Sequence, residues 1–510
     1  MESVLWFYPS SLCYLPPESR EFRWLTDLFD RNQVNLILET PEVHKHIITK
    51  KVSLRQVVVR TLLILFLCSL SAQAQTATVT WGTTHQTIQG FGASNHAQGA
   101  QVNPYDTLFF QTLGYSILRV GLPSDGSCTS ISSACAQDAD HNSDSLTDMH
   151  ACIANGCQIF VTGFTPPAIY KTNNSITCAA SPSPGTLAAG DYSLYATYIS
   201  NFIASLQTEV PPSIPVYAFS VQNEPTVCSK YDSAELSASA FDTFIKTNLG
   251  PTICPSGPPC SPLIMMPDSN GYASFTASAG TCMADSSCAK YVGINAFHGY
   301  DNSFSISNPY SSQNKQFWET EASGGSGGII NAPGCTDKVW CPGISDAMFW
   351  ANVIDYNIAV ANENAWLWWA MTPTNSSGDN EPLIYDGTVA IRAYVIGQYA
   401  KFIRPGWVRI DATHAPQSKV TVSAYKNAAG AFAIVATNQN ASSVSQTFSL
   451  NGFSVTSVTP WVTSGSLSLA QQSDVAVGGD SFSYTLPAYS VTTLVGVIVA
   501  PPTELTSKVQ

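Results

Sequence analysis

Between residues 89 and 402 the chain alternates short apolar runs with amphipathic stretches, and this alternation constrains its fold more than any other feature. Eight runs have strand length and character, at 88–93, 116–121, 158–163, 216–222, 263–268, 292–298, 316–321 and 365–371. Helical stretches at 144–155, 191–207, 233–248, 346–362 and 389–402 lie between or after them. Strands that alternate with helices build parallel units covered by helices on the outside. Eight such units predict an α/β fold, a closed (β/α)8 TIM barrel, with chemistry at the carboxyl ends of the strands. No glycine-rich phosphate loop follows the first run, which weakens the case for an open doubly wound sheet.

After Pro405 the pattern changes to strands at 420–425, 432–436, 446–450, 481–486 and 490–495, separated by turns rich in Gly, Asn and Ser. An antiparallel β-sandwich side domain is expected over 405–497, with residues 76–81 able to supply another strand. The barrel is expected over 76–404 and a loose tail over 498–510. Ahead of them, residues 51–74 carry Lys51, Arg55 and Arg60, an apolar stretch at 61–70, and Ala72-Gln73-Ala74. This is the pattern of a secretory signal, and the apolar stretch falls short of the roughly 20 residues a spanning helix needs. The expectation is a secreted or periplasmic protein without a stable membrane anchor. Residues 1–50 would bury that signal internally, so they read as an upstream extension created by a misassigned start, with Val52 one candidate; a cytoplasmic extension is the competing reading.

Cysteine usage agrees with export, because removing Cys13 and Cys68 with the leader takes the 14 cysteines to an even number. Cys128 with Cys135, Cys254 with Cys260, Cys282 with Cys288, and Cys335 with Cys341 are each spaced to close a short loop. Cys152, Cys157, Cys178 and Cys228 have no pairing legible from sequence, although Cys178 and Cys228 could tie two loops on the active-site side. Zinc is disfavoured, since no tight CxxC pair with matching histidines occurs. A formal charge of −13 argues against a nucleic-acid surface.

Two acidic motifs end strand-like runs: Ser220-Val221-Gln222-Asn223-Glu224-Pro225 and Phe317-Trp318-Glu319-Thr320-Glu321. Two carboxyls at the mouth of one barrel can break a glycosidic bond. A retaining enzyme uses one as proton donor and the other, about 5 to 5.5 Å away, as nucleophile. Such a pair needs no metal or organic cofactor. Glu319 competes with Glu321, because two residues apart on a strand means one shared face.

These motifs, together with Gly90-Phe91-Gly92-Ala93-Ser94-Asn95-His96, the 397–406 segment Gly-Gln-Tyr-Ala-Lys-Phe-Ile-Arg-Pro-Gly and Leu486-Pro487-Ala488-Tyr489-Ser490-Val491-Thr492-Thr493, resemble glycoside hydrolase family 30 of clan A. The resemblance implies Glu224 as acid/base and Glu321, after Trp-x-Thr, as nucleophile. It implies that Asn223 binds the sugar's 2-hydroxyl, that Arg119 keeps the nucleophile ionised, that His298 and Tyr300 position it, and that Trp369 forms an aromatic platform. Arg119 as a structural salt bridge and His298 as an ordinary core histidine are the plainer alternatives. Phe164 stands where relatives usually have tryptophan.

The features around Asn95-His96 and the 403–406 junction look closest to the bacterial xylanase branch, which often recognises a glucuronate side group. Beyond the leader the arginines are Arg119, Arg392, Arg404 and Arg409, none of them in the loops after strands five to seven. Lys171, Lys230 and Lys338 could substitute as point charges. The expected function is therefore an endo-β-1,4-xylanase with relaxed decoration requirements, acting on polysaccharide or oligosaccharide as a monomer. The alternatives are a glucosylceramidase-like or endo-β-1,6-glucanase or galactanase activity, and a carbohydrate-binding protein without catalysis.

Overall fold

The computed structural model describes residues 34–35, 51–52, 76–95, 102–137, 145–301, 305–324, 331–336, 339–373 and 379–498. The upstream extension, the signal stretch, Lys338 and the tail beyond Ile498 lie outside these residues. The exceptions are Val34–Asn35 and Lys51–Val52, which pair antiparallel.

Eight parallel strands close into a barrel: Gly90–Ser94, Ile117–Gly121, Gln158–Thr162, Val216–Ser220, Leu263–Ser269, Val292–His298, Gln316–Glu321 and Ala365–Ala370. Their apolar character follows from burial on both faces. Ile117, Phe160, Ala218, Met265, Ile294, Ala296, Trp318, Ala365 and Leu367 fill the interior as one cluster. Their neighbours Leu118, Ile159, Phe219, Ile264, Phe297, Phe317, Trp366 and Trp368 face the helical layer. Trp318 is the largest interior side chain and meets Phe160 edge to face at 6.2 Å. The barrel is thus a packed core rather than a pore, and its carboxyl end is where polar side chains take over.

One helical expectation needs correction and one helix adds to those expected. The stretch predicted from 233 begins at Ala238, where the Ser237 hydroxyl accepts the Ala240 N–H and caps the helix. Residues 233–237 belong instead to the loop after the fourth strand. The helix Tyr272–Ala284 was not anticipated. It buries Phe275, Ala279, Cys282 and Met283, but small residues surround them and blur its periodicity.

The side domain is a second sheet whose central strands are Ser490–Val497, Ala431–Asn438, Val420–Lys426, Val408–Ala412 and Thr76–Thr87. Thr76–Thr87 pairs antiparallel with Val408–Ala412 and parallel with Val444–Asn451, so the amino-terminal strand is built into this sheet. Period-two logic assigns its faces. Val420, Val422, Phe432, Ile434 and Leu494 pack into the sandwich core with Phe448 and Leu450. Tyr425, Ala433, Val435 and Val491 pack toward the barrel's helices. Gln398, from the helix Ile391–Ala400, seals the junction by donating to Thr463 Oγ1 at 2.9 Å and accepting from Thr493 Oγ1 at 2.6 Å. Ile498, placed in the tail by the sequence reading, is still held to the sheet, its N–H donating to the Gly430 carbonyl at 2.9 Å.

Six disulfides are formed among the described residues. Four are the short loops expected from spacing, and the other two are Cys152–Cys157 and Cys178–Cys228. Among the described residues, no helix is long and apolar enough to cross a membrane.

Candidate active site at the carboxyl end of the barrel

Period two along the second strand puts Arg119 on the same inward face as Ile117, one layer nearer the mouth. Its guanidinium is fully buried and pairs with Glu321 Oε2. It also donates to Asn223 Oδ1 at 2.6 Å and to Thr162 Oγ1 at 2.9 Å, and lies 3.5 Å from Asp268 Oδ2. Its Cζ is 5.1 Å from the Phe164 ring and 5.7 Å from the Trp369 ring. Those two rings meet edge to face at 6.3 Å.

Each carboxyl oxygen of the two glutamates has its own partner. Tyr300 donates to Glu321 Oε1 at 2.8 Å while Arg119 holds Oε2. His298 Nδ1 lies 3.0 Å from Glu224 Oε1, and the Tyr231 hydroxyl donates to Glu224 Oε2 at 3.2 Å. One oxygen of Glu224 and one of Glu321 lie within 4.8 Å of each other, with His298 between them. All seven residues named from the sequence therefore meet in one place.

Backbone irregularities aim these side chains. Trp318 and Thr320 alternate inward on the seventh strand, so regular pleating would turn Glu319 and Glu321 both outward. A bulge between Glu319 and Glu321 resets the phase, and Glu321 swings into the mouth. The expectation that Glu319 shares the face of Glu321 is thus corrected. Glu319 points into the helical layer, where Asn357 Nδ2 donates to it. A Cβ at Gly299 would come within 2.5 Å of Glu319 Oε1, so a side chain there would displace the Glu319 carboxyl. Glu224 and Asp268 both have left-handed backbones, at φ 43° and 57°, and the Glu224 N–H donates to the Asp268 carbonyl at 2.9 Å. Each such residue costs about 1–2 kcal/mol, strain of the kind that collects at functional sites.

Similarity to known proteins agrees with this architecture. A family 30 subfamily 8 xylanase, Xyn30A from Clostridium acetobutylicum, superposes with a TM-score of 0.71 at 31% identity, covering 83% of this chain and 99% of that one. The chain belongs to glycoside hydrolase family 30. The "Glycosyl hydrolase family 30 TIM-barrel domain" matches residues 142–329, and the "Glycosyl hydrolase family 30 beta sandwich domain" matches 406–494. Glucuronoxylanase XynC of Bacillus subtilis (strain 168) is 27% identical over 444 residues, which is 83% of this chain and 92% of that protein. Putative glucosylceramidase 2 of Caenorhabditis elegans is 25% identical over 299 residues, 56% of each chain. The protein is accordingly a glycoside hydrolase with a carbohydrate substrate.

Two groups in this family 30 site were missed in the sequence. Asp268 sits at its centre, accepting from Ser220 Oγ at 2.7 Å and from Thr320 Oγ1. Burial would raise its carboxyl, but the bond to His298 and the charge of Arg119 outweigh this and hold it down to about 2. Its position at the end of the fifth apolar run was the available signal. Tyr231, in the loop after the fourth strand, carried none. Burial would lower His298, yet the charge of Glu321 and bonds to Asp268 and Glu224 raise it to about 10, so it holds a proton at neutral pH. The oxygens of Glu224 and Glu321 are close enough to share a cation, but Arg119 and the protonated His298 already supply positive charge there.

Proposed function

We propose that this protein is an exported, retaining endo-β-1,4-xylanase that works by double displacement. The observation that carries this reading is the spacing of Glu224 and Glu321, with an oxygen of each within 4.8 Å. It suits direct attack, about 5 to 5.5 Å, rather than the 6.5–9.5 Å that admits a water between the carboxyls.

In the first step Glu224 protonates the leaving oxygen as Glu321 attacks the anomeric carbon, so the glycosidic C–O bond breaks as the glycosyl–Glu321 ester forms. Glu224 then takes a proton from water, which attacks the same carbon and frees Glu321. Arg119 and Tyr300 bond both oxygens of Glu321 and hold it oriented for attack. Because Arg119 occupies Oδ1 of Asn223, the Nδ2 group is left to donate to the sugar's 2-hydroxyl, where a bond that tightens in the transition state lowers the barrier. The half-buried Trp369 ring supplies a stacking face for the pyranose.

Xylan is favoured by the two xylanase relatives, one of which is a glucuronoxylanase. A strict need for glucuronate is opposed by the arginines and by Lys171. Arg392 is committed to Asp346 and Asn380, Arg404 to backbone carbonyls such as Ala400, and Arg409 to Gln86 and Asn362. Lys171 is 5% exposed and turned inward, which removes it from the candidate carboxylate binders. Six disulfides suit an oxidising compartment and agree with export through residues 51–74. The Thr320-Glu321-Ala322-Ser323 segment and the C. elegans relative favour, as a second reading, a β-glucosidase-type activity on glucosylceramide or β-1,6-glucan.

Purified enzyme on glucuronoxylan, arabinoxylan free of glucuronate, β-1,6-glucan and glucosylceramide tests the proposal. Xylooligosaccharides from both xylans are the expected products, with turnover abolished in Glu224→Gln and Glu321→Gln while glycan binding persists. Full activity in either variant, or glucose as the sole product, would overturn it.

A further inference from the structure

The loop after the third strand and the loop after the fourth are stitched together by an assembly that the chemistry above does not use. Cys178 and Cys228 join them covalently. Backbone bonds run between them from Ala179 N to Ser229 O at 2.9 Å and from Glu235 N to Gly185 O at 3.2 Å. At the centre lies Lys171. Its ammonium donates to Ser233 O at 2.7 Å, to Ile176 O at 2.9 Å and to Thr165 Oγ1 at 2.9 Å. Ser233 in turn donates through Oγ to the Tyr231 carbonyl at 2.8 Å, and the Tyr231 hydroxyl reaches Glu224 Oε2 at 3.2 Å.

Burying an ammonium group is costly unless every proton finds an acceptor. Closing two loops does not require one, because the disulfide and the backbone bonds already do so. The cation is spent on a particular carbonyl, that of Ser233, two residues from the tyrosine that touches Glu224. Tyr231 is 54% exposed, so its reach to Glu224 depends on how firmly its backbone is held.

We propose that Lys171 and Tyr231 are positioning residues for Glu224: Lys171 fixes the loop backbone at Ser233, and Tyr231 carries that constraint to the carboxyl as a hydrogen bond. The inference rests on the reading of Glu224 as the acid/base. Tyr231 orients Oε2, leaving the other oxygen, beside His298, to exchange the proton with the leaving group.

Leaving-group selectivity separates this role from a merely structural one. A dinitrophenolate departs without protonation, whereas a phenolate needs the acid, so loss of acid placement slows only the second. The experiment compares kcat/KM for 2,4-dinitrophenyl and phenyl β-xylotriosides, replaced by the matching glucosides if the wild type releases glucose. Glu224→Gln sets the benchmark, with a loss of about 10²–10⁴ on the phenyl substrate and far less on the dinitrophenyl one. Lys171→Met and Tyr231→Phe are expected to lose about tenfold on phenyl and under about threefold on dinitrophenyl, with Lys171→Arg recovering part of the loss. Equal losses on both substrates, or none, would overturn the inference while Glu224→Gln keeps its skew. Absence of the skew in Glu224→Gln would instead overturn the acid/base reading. Tyr231→Phe removes one hydroxyl from an exposed ring, so it decides the matter even if Lys171→Met does not fold.

Discussion

Arg119 reaches Glu321 with one terminal nitrogen and Asn223 with the other, while its Nε bonds Thr162. One rigid fork thus sets the geometry of three strand ends at once. A lysine at this position offers a single ammonium on a flexible stem and cannot serve all three acceptors. Arg119→Lys is expected to lower kcat by at least about tenfold while the protein still folds. Arg119→Met, which leaves a carboxylate buried without its partner, is expected to cost about 3–5 kcal/mol in denaturant unfolding. Undiminished turnover in Arg119→Lys would show that the fork is dispensable.

His298 and Asp268 approach within 3.5 Å, and their protonation gives opposite signatures. His298 is raised from 6.5 to about 10, so its stabilisation is complete below its unfolded value and is lost as pH rises through 10. Asp268 is lowered from 3.8 to about 2, so its stabilisation is complete above 3.8 and is lost as pH falls through 2. The stability difference between wild type and His298→Gln should therefore stay level from about pH 4 to 6.5 and shrink toward pH 10. Urea unfolding across that range measures it, and a difference that widens above pH 7 would contradict the assignment.

Glu319 and Glu321 are two residues apart yet face different environments. Burial pushes the Glu319 carboxyl well above the usual range despite the bond from Asn357, which favours its neutral form. Glutamine copies that neutral shape. Glu319→Gln is expected to keep kcat within about twofold, since a hydrogen-bonded isostere leaves no buried charge unpaired. Glu321→Gln should lose nearly all turnover. Assaying both on the same xylan decides which glutamate attacks.

The pair also marks where sequence pattern stops being informative. The eight barrel strands were legible because each is apolar on both faces and of similar length, whereas Arg119 and His298, at or near strand ends, were singled out through the family resemblance. Glu321 could be named only through resemblance, because its inward direction depends on a bulge that leaves no trace in hydrophobic patterning. The helix Tyr272–Ala284 escaped notice because its buried Phe275, Cys282 and Met283 stand among Ala, Ser, Thr and Gly, which give little contrast. Tyr231 was invisible for a different reason: its place is set by Lys171, Ser233 and a disulfide closed 50 residues apart.

That disulfide makes a quantitative comparison possible within one molecule. Cys178–Cys228 spans 50 residues and Cys152–Cys157 only 5, so the first removes far more freedom from the unfolded chain. On the loop-entropy account, closing 50 residues is worth about 4 kcal/mol, and measured values typically fall near 2–4. Replacing Cys178 and Cys228 together by serine is expected to lower unfolding stability by about 2–4 kcal/mol, and replacing Cys152 and Cys157 by clearly less. Denaturant titration of the two double variants under oxidising conditions gives the comparison. Equal losses would mean that local packing, rather than the length of chain closed, sets what each bond contributes.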